Sequence, residues 1–321
     1  MQGKVHTDAM SPVYVGIDVC KARLDVYLHP TGERFSVAND AGGWRRLRRR
    51  LSGLIVERVV MEATSKYHRQ AHRHLDAVGI RVAIVNPLRA RLFAEACGAL
   101  AKTDPIDARM LALMGMQLGL AAVSPPSKTI EALDELIRAR SSAVDERVAI
   151  TNRRQVADIP FLLAELARRI RTIDTHIRRL EAEIERLIAA NPAIAATRAI
   201  IRSIPGFGPV NANMLTAGLD ELGQLDGKQI AALVGLAPVA CDSGPRQGHR
   251  RIRGGRAHLR RPLYMAALSA IRFNPDLRRF HQRLKEKGKS HKVAITAVMR
   301  KLLVLANSLV AQNRHWTPVA P

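Results

Sequence analysis

The sequence predicts an α/β domain with a mixed β-sheet, followed by a long region that is almost entirely helical. Short apolar segments at residues 13–19, 24–28, 34–37, 56–61 and 81–85 are typical of strands, and a turn at residues 29–32 makes the second and third a hairpin. Basic and amphipathic segments at residues 43–51 and 67–78 predict helices, and two more helices should follow Pro87 and Pro105. Hairpin strands followed by strands that alternate with helices indicate a mixed sheet.

Three regions are predicted along the chain. Residues 12–123 form the α/β domain, residues 124–192 a helical linker and assembly region, and residues 193–312 a mostly α-helical C-terminal domain. The segment SPPS at residues 124–127 is the clearest linker, and Pro192 ends the long helical stretch.

The second half of the helical region carries an apolar seam in which the spacing alternates between four and three residues. Its members are Leu166, Ile170, Ile173, Ile177, Leu180, Ile184 and Leu187. Such heptads are typical of a coiled coil that joins two or more chains. A helical hairpin that packs on its own chain fits the same pattern, so both interpretations remain open.

The charge balance points to a polyanionic partner. The 51 Lys and Arg against 28 Asp and Glu give a net charge of +23, and basic side chains at phosphates release bound counterions. Aromatic residues make up only 4% of the chain, which argues against base stacking as the main mode of binding. We expect no membrane partner, because no basic amphipathic anchor or signal segment is evident and the longest apolar run, residues 111–123, is too short to span a bilayer.

Cysteine usage fits a reducing compartment. Cys20, Cys97 and Cys241 lie far apart with no CxxC pair, so neither a disulfide framework nor a zinc finger is expected. We therefore predict a cytoplasmic protein.

Four carboxylates stand at the ends of predicted elements in the first domain. Asp18 lies within an apolar strand, where a lone carboxylate is costly unless it is paired or binds a cation. Glu62 directly follows another apolar strand. Asp104 and Asp107 are three residues apart at the start of a helix, whose first turn suits Pro105. Together the four predict a site for one or two Mg²⁺ ions, although Asp104 could simply cap its helix and Glu62 could be a surface residue.

A histidine pair in the same domain offers a weaker metal candidate. His68 and His72 are four residues apart on a predicted helix, a spacing that can bind zinc. No Glu occupies the HExxH position and no third ligand is evident, so we favour a hydrated helix that faces RNA.

Near the C-terminus, Ser243 lies among glycines and is followed by a segment without acidic residues. Between residues 244 and 261 there are seven arginines, of which Arg246, Arg250, Arg251, Arg253 and Arg256 are candidate contacts to nucleic acid. A hydroxyl beside so many cations can attack a phosphate while arginines stabilise the charge of the transferring phosphoryl group. A serine in a turn that only contacts phosphate remains the alternative.

Two further segments are candidates for contacts with phosphate. The turn PGFG, with Gly206 and Gly208, precedes a helix of small residues and is typical of a helix-hairpin-helix, whose backbone amides bind phosphate regardless of base sequence. A cationic helix in the first domain forms a second candidate surface through Arg45, Arg46, Arg48 and Arg49.

These motifs carry a resemblance to known proteins. The strand YVGID, the strand that ends VVME and the segment TDPIDA resemble RNase-H-type, RuvC-like nucleases with a DEDD set. Together with the helical middle, IPGFGPVNA, and LVGLAPVACDSG followed by GHRRIRGGR, they resemble transposases of the insertion-sequence 110 family over about residues 13–310. The resemblance implies a RuvC-like domain that binds Mg²⁺ and a C-terminal transposase domain with a catalytic serine.

The same resemblance implies a function and its residues. Ser243 would be the catalytic nucleophile, and Asp18, Glu62, Asp104 and Asp107 would hold Mg²⁺. A structured guide, the bridge RNA, would pair with double-stranded donor and target DNA. We therefore expect an RNA-guided recombinase in the prokaryotic cytoplasm, associated with the nucleoid, that moves its own element as a dimer or tetramer.

Two other functions remain open. An RNase-H-type junction nuclease would use metal-activated water, with Ser243 structural. A non-catalytic nucleic-acid-binding protein would use the acids only as helix caps and surface groups.

Overall fold

The computed structural model describes residues 11–63, 65–99, 104–240, 242, 244, 248 and 250–318, with the side chains of residues 104–106 outside the described part. The chain divides into two compact units, residues 1–125 and 126–321. The division falls between Pro125 and Pro126, within the predicted linker segment.

The N-terminal unit contains the mixed five-stranded sheet that the sequence predicts. Its strands are β1 (Val13–Val19), β2 (Arg23–His29), β3 (Arg34–Ala38), β4 (Val56–Glu62) and β5 (Val82–Val85). They lie in the order β3-β2-β1-β4-β5. Strand β2 runs antiparallel to both β1 and β3, whereas β4 runs parallel to both β1 and β5.

Helices cover both faces of this sheet. They are α1 (Ala41–Leu51), α2 (His68–Asp76), α3 (Pro87–Ala96) and α4 (Asp104–Leu118). Leu47 of α1 and Leu75 of α2 pack with Ile17 and Met61 on one face, while Leu111 and Met114 of α4 pack with Val60 and Val85 on the other. Successive side chains of a strand point to opposite faces of the sheet, so every second residue of each strand points to the face that α4 covers.

Helix α4 approaches β1 most closely at Gly16. A Cβ atom built on Gly16 would lie 1.9 Å from the carbonyl oxygen of Ala108 and 2.5 Å from the backbone nitrogen of Ala112. Only glycine allows the helix backbone to pack directly on the strand at this point.

Replacing Gly16 by Ala should therefore destabilise the N-terminal unit by about 3 kcal/mol, because a helix backbone must shift away from the sheet. Urea unfolding followed by fluorescence of Trp44, in a Trp316→Phe background that leaves Trp44 as the only tryptophan, measures the loss. Gly53→Ala is the matched control, since nothing lies within 4 Å of a Cβ at Gly53. Equal stability of the two variants would contradict the packing role of Gly16.

The C-terminal unit begins with a long helical hairpin, α5 (Lys128–Gln155) and α6 (Pro160–Ala189). The two helices run antiparallel, because ion pairs join Arg140 to Glu181 and Arg147 to Asp174. The predicted apolar seam is covered by α5 of the same chain: Leu166, Ile173 and Ile177 cluster with Ala143 and Ile150, and Ile184 clusters with Leu133 and Ile137. Of the two interpretations left open, the structure has the intrachain hairpin, so these buried positions do not present a seam to a second chain.

The rest of this unit is mostly helical. Its elements are α7 (Pro192–Ser203), α8 (Pro209–Gly218), α9 (Gly227–Val234), β6 (Pro238–Val239), β7 (Arg251–Ile252), a 3-10 turn (Ala257–Leu259), α10 (Arg260–Phe273), α11 (Pro275–Glu286) and α12 (His291–Ala311). The two short strands pair as an antiparallel ribbon. The mostly α-helical character predicted for this region is confirmed.

Helix α12 is the central core helix of this unit. By length and composition it could cross a membrane, and no other helix in the described ranges passes that test. Half of its most apolar stretch is buried within the protein, and Leu302, Leu303 and Ala306 are fully enclosed in the largest apolar cluster. A buried core helix has the same composition as a membrane span, so this feature is explained by packing.

Candidate active site

Asp18 and Glu62 lie at the carboxyl ends of neighbouring parallel strands. The register pairs Ile17 of β1 with Met61 of β4, so the next residue on each strand is one of the two acids. Asp18 lies two residues after Gly16, and Glu62 lies two residues after Val60. Both acids therefore point to the same face of the sheet as Gly16 and Val60, which is the face that α4 covers. Both acids are partly exposed. The sheet therefore directs these two predicted site residues to the same edge and the same face.

Helix α4 adds Asp107 to this edge. Asp107 directly precedes Ala108, whose carbonyl oxygen lies against Gly16, and it lines a cavity of about 290 Å³ together with Glu62. Arg91 of α3 lines the same cavity and forms an ion pair with Glu95. The close approach at Gly16 is thus what carries Asp107 to the strand ends.

The remaining predicted acid, Asp104, is the first residue of α4. It precedes Asp107 by three residues, which places the two on the same side of the helix about one turn apart. The Asp104 side chain lies outside the described residues, so its role stays a prediction.

A further acid that sequence reasoning missed, Asp25, lies directly opposite Asp18 in the antiparallel pair of β1 and β2. Residues opposite each other share a face, and two like charges in such a pair repel. Arg23 offsets part of the charge, since its Nε donates to Asp25 Oδ2 at 2.7 Å, and the Ser36 hydroxyl donates to Oδ1. The alternation of charged and apolar residues in RLDVYLH was the available signal.

These acids fit a hard divalent cation by their chemistry. Carboxylate oxygens are the ligands that Mg²⁺ prefers, and acids concentrated at one sheet edge attract a cation. Among the side chains that the structure describes, no three His, Cys, Asp or Glu groups are close enough together to hold a metal ion.

The histidine pair has a structural role at His72. Its side chain is 3% exposed, and its Nε2 lies 2.7 Å from the carbonyl oxygen of Val123. This contact ties α2 to the segment that leaves the N-terminal unit. The expectation of a hydrated helix is therefore wrong at His72, because this residue lies on the face that packs inward.

His68 is partly buried, and its Nδ1 has no hydrogen-bond partner among the described residues. Burial, followed by the charges of Arg69 and His72, lowers the pKa of His68 from 6.5 to about 4, against a small opposing effect of the Ser65 backbone. His68 is therefore neutral at physiological pH.

This pKa predicts how stability depends on pH. The unfolded chain takes up a proton near pH 6.5, whereas folded His68 resists protonation until about pH 4. The stability that the neutral His68 side chain contributes to the folded state is therefore fully present above pH 6.5. It is lost as the pH falls toward 4, because the unfolded chain gains a proton that the folded chain does not. His68→Gln should remove about 1 kcal/mol of this loss, allowing for solvent screening of a partly exposed ring. Urea midpoints at pH 7 and pH 5 test this against His315→Gln, an exposed histidine; an unchanged pH dependence in His68→Gln would refute the assignment.

The predicted serine segment lies between β6 and β7. Ser243 and Arg246 fall outside the described residues. At its described positions, the Asp242 carboxylate accepts a hydrogen bond from the Gly248 backbone at 3.0 Å and from Arg250 Nη2 at 3.4 Å. Arg251 and Arg253 are exposed, as contact with a phosphate backbone requires.

Arg256, also predicted to bind nucleic acid, anchors the base of this segment instead. Its guanidinium donates to both carboxylate oxygens of Glu221, at 2.7 and 2.6 Å, and to the carbonyl oxygen of Gly218 at 2.8 Å. At this base a Cβ on Gly255 would lie 2.4 Å from the backbone nitrogen of Gly235. Because Arg256 is committed to a bidentate ion pair, its role is better explained as structural.

The PGFG turn joins α7 to α8, and its two glycines differ. Gly206 has a φ of +120°, and a Cβ there would lie 2.6 Å from the Cβ of Ala270, so it serves packing against α10. Gly208 is exposed, has open space where a Cβ atom would stand, and begins α8 without a side-chain cap. Only Gly208 of the pair is therefore placed to let a phosphate approach the amides of α8.

The basic face of α1 matches the prediction for an exposed cationic surface. Arg45, Arg46, Arg48 and Arg49 are all exposed, and none forms an ion pair with a described residue, whereas Arg50 pairs with Glu33. These four cations remain candidates for contacts with phosphate.

Two family models match the chain. One, described as Transposase and built for DEDD transposases of the IS110 type, matches residues 15–157. The other, described as Transposase IS116/IS110/IS902 family, matches residues 198–282. The predicted metal-binding acids lie within the first match, and Ser243 lies within the second.

Curated relatives extend the similarity over both units. The pilin gene-inverting protein of Moraxella bovis is 28% identical in an alignment of 318 residues that covers 96% of this chain and 98% of that protein. The transposase for insertion sequence element IS1328 of Yersinia enterocolitica is 24% identical over 74% of this chain and 81% of its own length. The uncharacterized 42 kDa protein of insertion element IS900 from Mycobacterium paratuberculosis is 32% identical over 49% of this chain and 39% of its own. With both family models matched in order, the chain belongs to the IS110 family of transposases and is a DNA recombinase.

Proposed function

We propose that this protein is an RNA-guided DNA recombinase that excises and inserts its own insertion sequence through a phosphoserine intermediate. The observation that carries the proposal is the position of Asp18 and Glu62 at the ends of neighbouring parallel strands, with Asp107 of α4 beside Glu62 in one cavity. Membership of a transposase family makes DNA phosphodiesters the substrate of that edge.

We infer that the N-terminal unit has an RNase-H-type, RuvC-like fold. Three antiparallel strands followed by two parallel ones, with the acids on the two central parallel strands, support this inference. Asp18, Glu62, Asp104 and Asp107 would hold one or two Mg²⁺ ions. The metal would neutralise the charge that develops on a transferring phosphoryl group.

The covalent step is assigned to Ser243. Its hydroxyl oxygen attacks a DNA phosphorus, so that a Ser–phosphate ester forms as the bond to the leaving deoxyribose oxygen breaks. That oxygen takes a proton and departs as a hydroxyl. Exposed Arg251 and Arg253, beside the segment that carries Ser243, are placed to hold the phosphate backbone. Rejoining reverses the step with a new hydroxyl, which conserves the energy of the phosphate ester.

The partners follow from the charge and the family. A net charge of +23 suits both double-stranded DNA and a structured guide RNA. Two duplexes exchanged at once require a dimer or tetramer, and Ser243 of one chain would then work with the acids of another. Because the seam of α6 is covered by α5, this assembly would use other surfaces. We infer that the reaction takes place in the cytoplasm, where the bacterial chromosome lies, and involves no membrane.

The relative that inverts pilin genes suggests an assay in which inversion is scored beside excision. Purified protein, RNA transcribed from the DNA that flanks its gene, and a plasmid carrying both element ends should yield recombinant junctions in Mg²⁺. Chelation with EDTA should abolish them. Amplification and sequencing across the junctions measure the products. An unchanged yield in EDTA would overturn the proposed requirement for a metal. An unchanged yield without the RNA would overturn the proposed requirement for a guide.

Two other functions make different predictions for the same assay. A junction nuclease that uses activated water would cleave without any protein–DNA adduct. A non-catalytic binding protein would retain DNA in EDTA and leave every strand intact. The family favours recombination over both.

A further inference from the structure

A cavity that carries no assigned role lies in the C-terminal unit, between α11, α12 and the segment that follows α12. Its volume is about 640 Å³, more than twice that of the cavity at Glu62 and Asp107. It lies within one compact unit, and the second family match ends at residue 282, before α12 begins. Its lining combines an aromatic ring, several cations and a buried amide.

The aromatic ring is Trp316, one of two tryptophans in the chain. Its backbone N–H donates to the Ser203 hydroxyl at 2.8 Å, and that hydroxyl donates to the carbonyl oxygen of Ile200 at 2.6 Å. The segment after α12 is thereby fixed to α7. The indole packs partly on the apolar core and remains partly exposed where it lines the cavity. An aromatic ring held in this way can stack against a planar ligand.

Cations outnumber acids in the lining. Arg279, Arg283, Lys301 and Arg314 contribute positive charge, and Asp276 and Glu286 contribute negative charge. Arg279 is committed to an ion pair with Asp276, and Lys301 lies 4.5 Å from the centre of the Phe280 ring. Among the described residues, Arg283 and Arg314 have no carboxylate partner, and the Arg314 bonds to Gln312 and Thr317 are long, at 3.3 Å. These two guanidinium groups could therefore bind an anion in the cavity.

The buried amide belongs to Asn274, which is 1% exposed. Its Oδ1 caps α11 by accepting from the backbone nitrogens of Asp276 and Leu277, at 3.1 and 3.2 Å. Its Nδ2 is buried and finds no hydrogen-bond partner among the described residues. A buried donor without a partner is costly, and an acceptor on a ligand would satisfy it.

We propose that this cavity binds one unpaired nucleotide of a single-stranded nucleic acid. The base stacks on Trp316, the adjoining phosphates contact Arg283 and Arg314, and a base or sugar acceptor receives the free hydrogen of Asn274 Nδ2. A duplex keeps its bases paired and stacked, so it offers no ring to a concave site. The inference rests on the proposed function only in taking nucleic acid as the partner.

The experiment uses the fluorescence of Trp316 in the full-length chain. Trp44→Phe leaves Trp316 as the only tryptophan, so the signal reports this cavity even though the basic protein binds nucleic acid elsewhere. Ten-nucleotide oligothymidylate and oligouridylate are the two single-stranded probes, and a blunt-ended duplex of two annealed strands, which has no unpaired nucleotide, is the comparison. Both single strands should quench the emission, and the duplex should not. Tighter binding of one strand identifies DNA or RNA as the natural source.

The cations are tested in the same background. Arg283→Ala combined with Arg314→Ala should weaken the quenching isotherm about tenfold and lower the salt slope by about 1.4, because about 0.7 is lost for each phosphate contact on a single strand. Lys287→Ala combined with Lys289→Ala is the matched control. Both lysines are exposed and neither lines the cavity, so the same loss of charge should leave this isotherm unchanged.

Two results would overturn the proposal: no quenching by either single strand, or equal weakening in the two double variants. Because Trp316 also covers the core, Trp316→Phe is used beside Trp316→Leu. Trp316→Phe retains an aromatic ring that can stack on a base. Trp316→Leu does not, and it should bind a fluorophore-labelled oligonucleotide about tenfold more weakly than Trp316→Phe does. Circular dichroism verifies folding, and if the Leu variant unfolds, the arginine pair still decides. Recombination in the plasmid assay with no quenching would refute this site alone.

Discussion

Replacing Asp18 by Asn should lower the rate of recombination at least about a hundredfold while the fold remains intact. The carboxylate lies at the end of β1, beside the end of β4 that carries Glu62, and directly opposite Asp25. Asn has the same size but cannot supply the negative charge that a divalent cation requires, and loss of one such group from a preorganised site costs two to three orders of magnitude. Junction formation in the plasmid assay measures the rate.

A stability measurement separates this role from a structural one. Asp18→Asn keeps the size of the side chain at a partly exposed strand position, so the variant should remain folded and show a clear unfolding midpoint. Mg²⁺ should raise the midpoint of the wild type and not that of the variant. Asp76→Asn, at an exposed position on α2, is the matched control and should keep full activity. A variant that is destabilised but active would refute the metal-binding role.

Replacing Ser243 by Ala should abolish the covalent protein–DNA adduct. Without the hydroxyl no ester to phosphorus can form, so the expected loss is complete rather than partial. A nicked DNA substrate traps the wild-type adduct, which is detected as a labelled band that survives denaturing electrophoresis and disappears after protease treatment. Binding of the same DNA should be retained, because the neighbouring arginines are unchanged.

Two further variants make the adduct test decisive. Ser290→Ala removes another hydroxyl, at the start of α12, where the side chain makes no capping bond, and it should form the adduct normally. Asp104→Ala tests whether the acids assist the same step and should reduce the adduct strongly. An adduct in Ser243→Ala would eliminate the serine mechanism, and cleavage without any adduct would favour the junction nuclease.

Local patterns in the sequence were sufficient for the N-terminal sheet and for part of its site. The strand segments are mostly apolar or alternating and are bounded by clear turn residues, so their positions follow from the local sequence. Asp18 and Glu62 stand out because an acid is unusual next to a buried strand. Asp25 was missed because its importance depends on its being opposite Asp18 in the sheet, a pairing that no local pattern specifies.

The heptad pattern of α6 illustrates the limit of local patterns. Periodicity establishes that Leu166, Ile173 and Ile177 share one apolar face, but the same face can be buried by another chain or by a neighbouring helix. The turn before Pro160 reverses the chain so that α6 runs back along α5, and residues of α5 bury the apolar face of α6.

The sequence by itself determined the α/β and helical regions, the excess of positive charge, and the carboxylates that end the strands, because each depends on residues near one another in the chain. Only the tertiary structure decided that Arg256 holds Glu221, that His72 holds Val123, and that Trp316 lines a cationic cavity. Arg256 and Glu221 are 35 positions apart in the sequence, and His72 and Val123 are 51 apart. The cavity at Trp316 is lined by residues of distinct helices. No local pattern specifies a partner at such a distance, since the partner is chosen by how the elements pack.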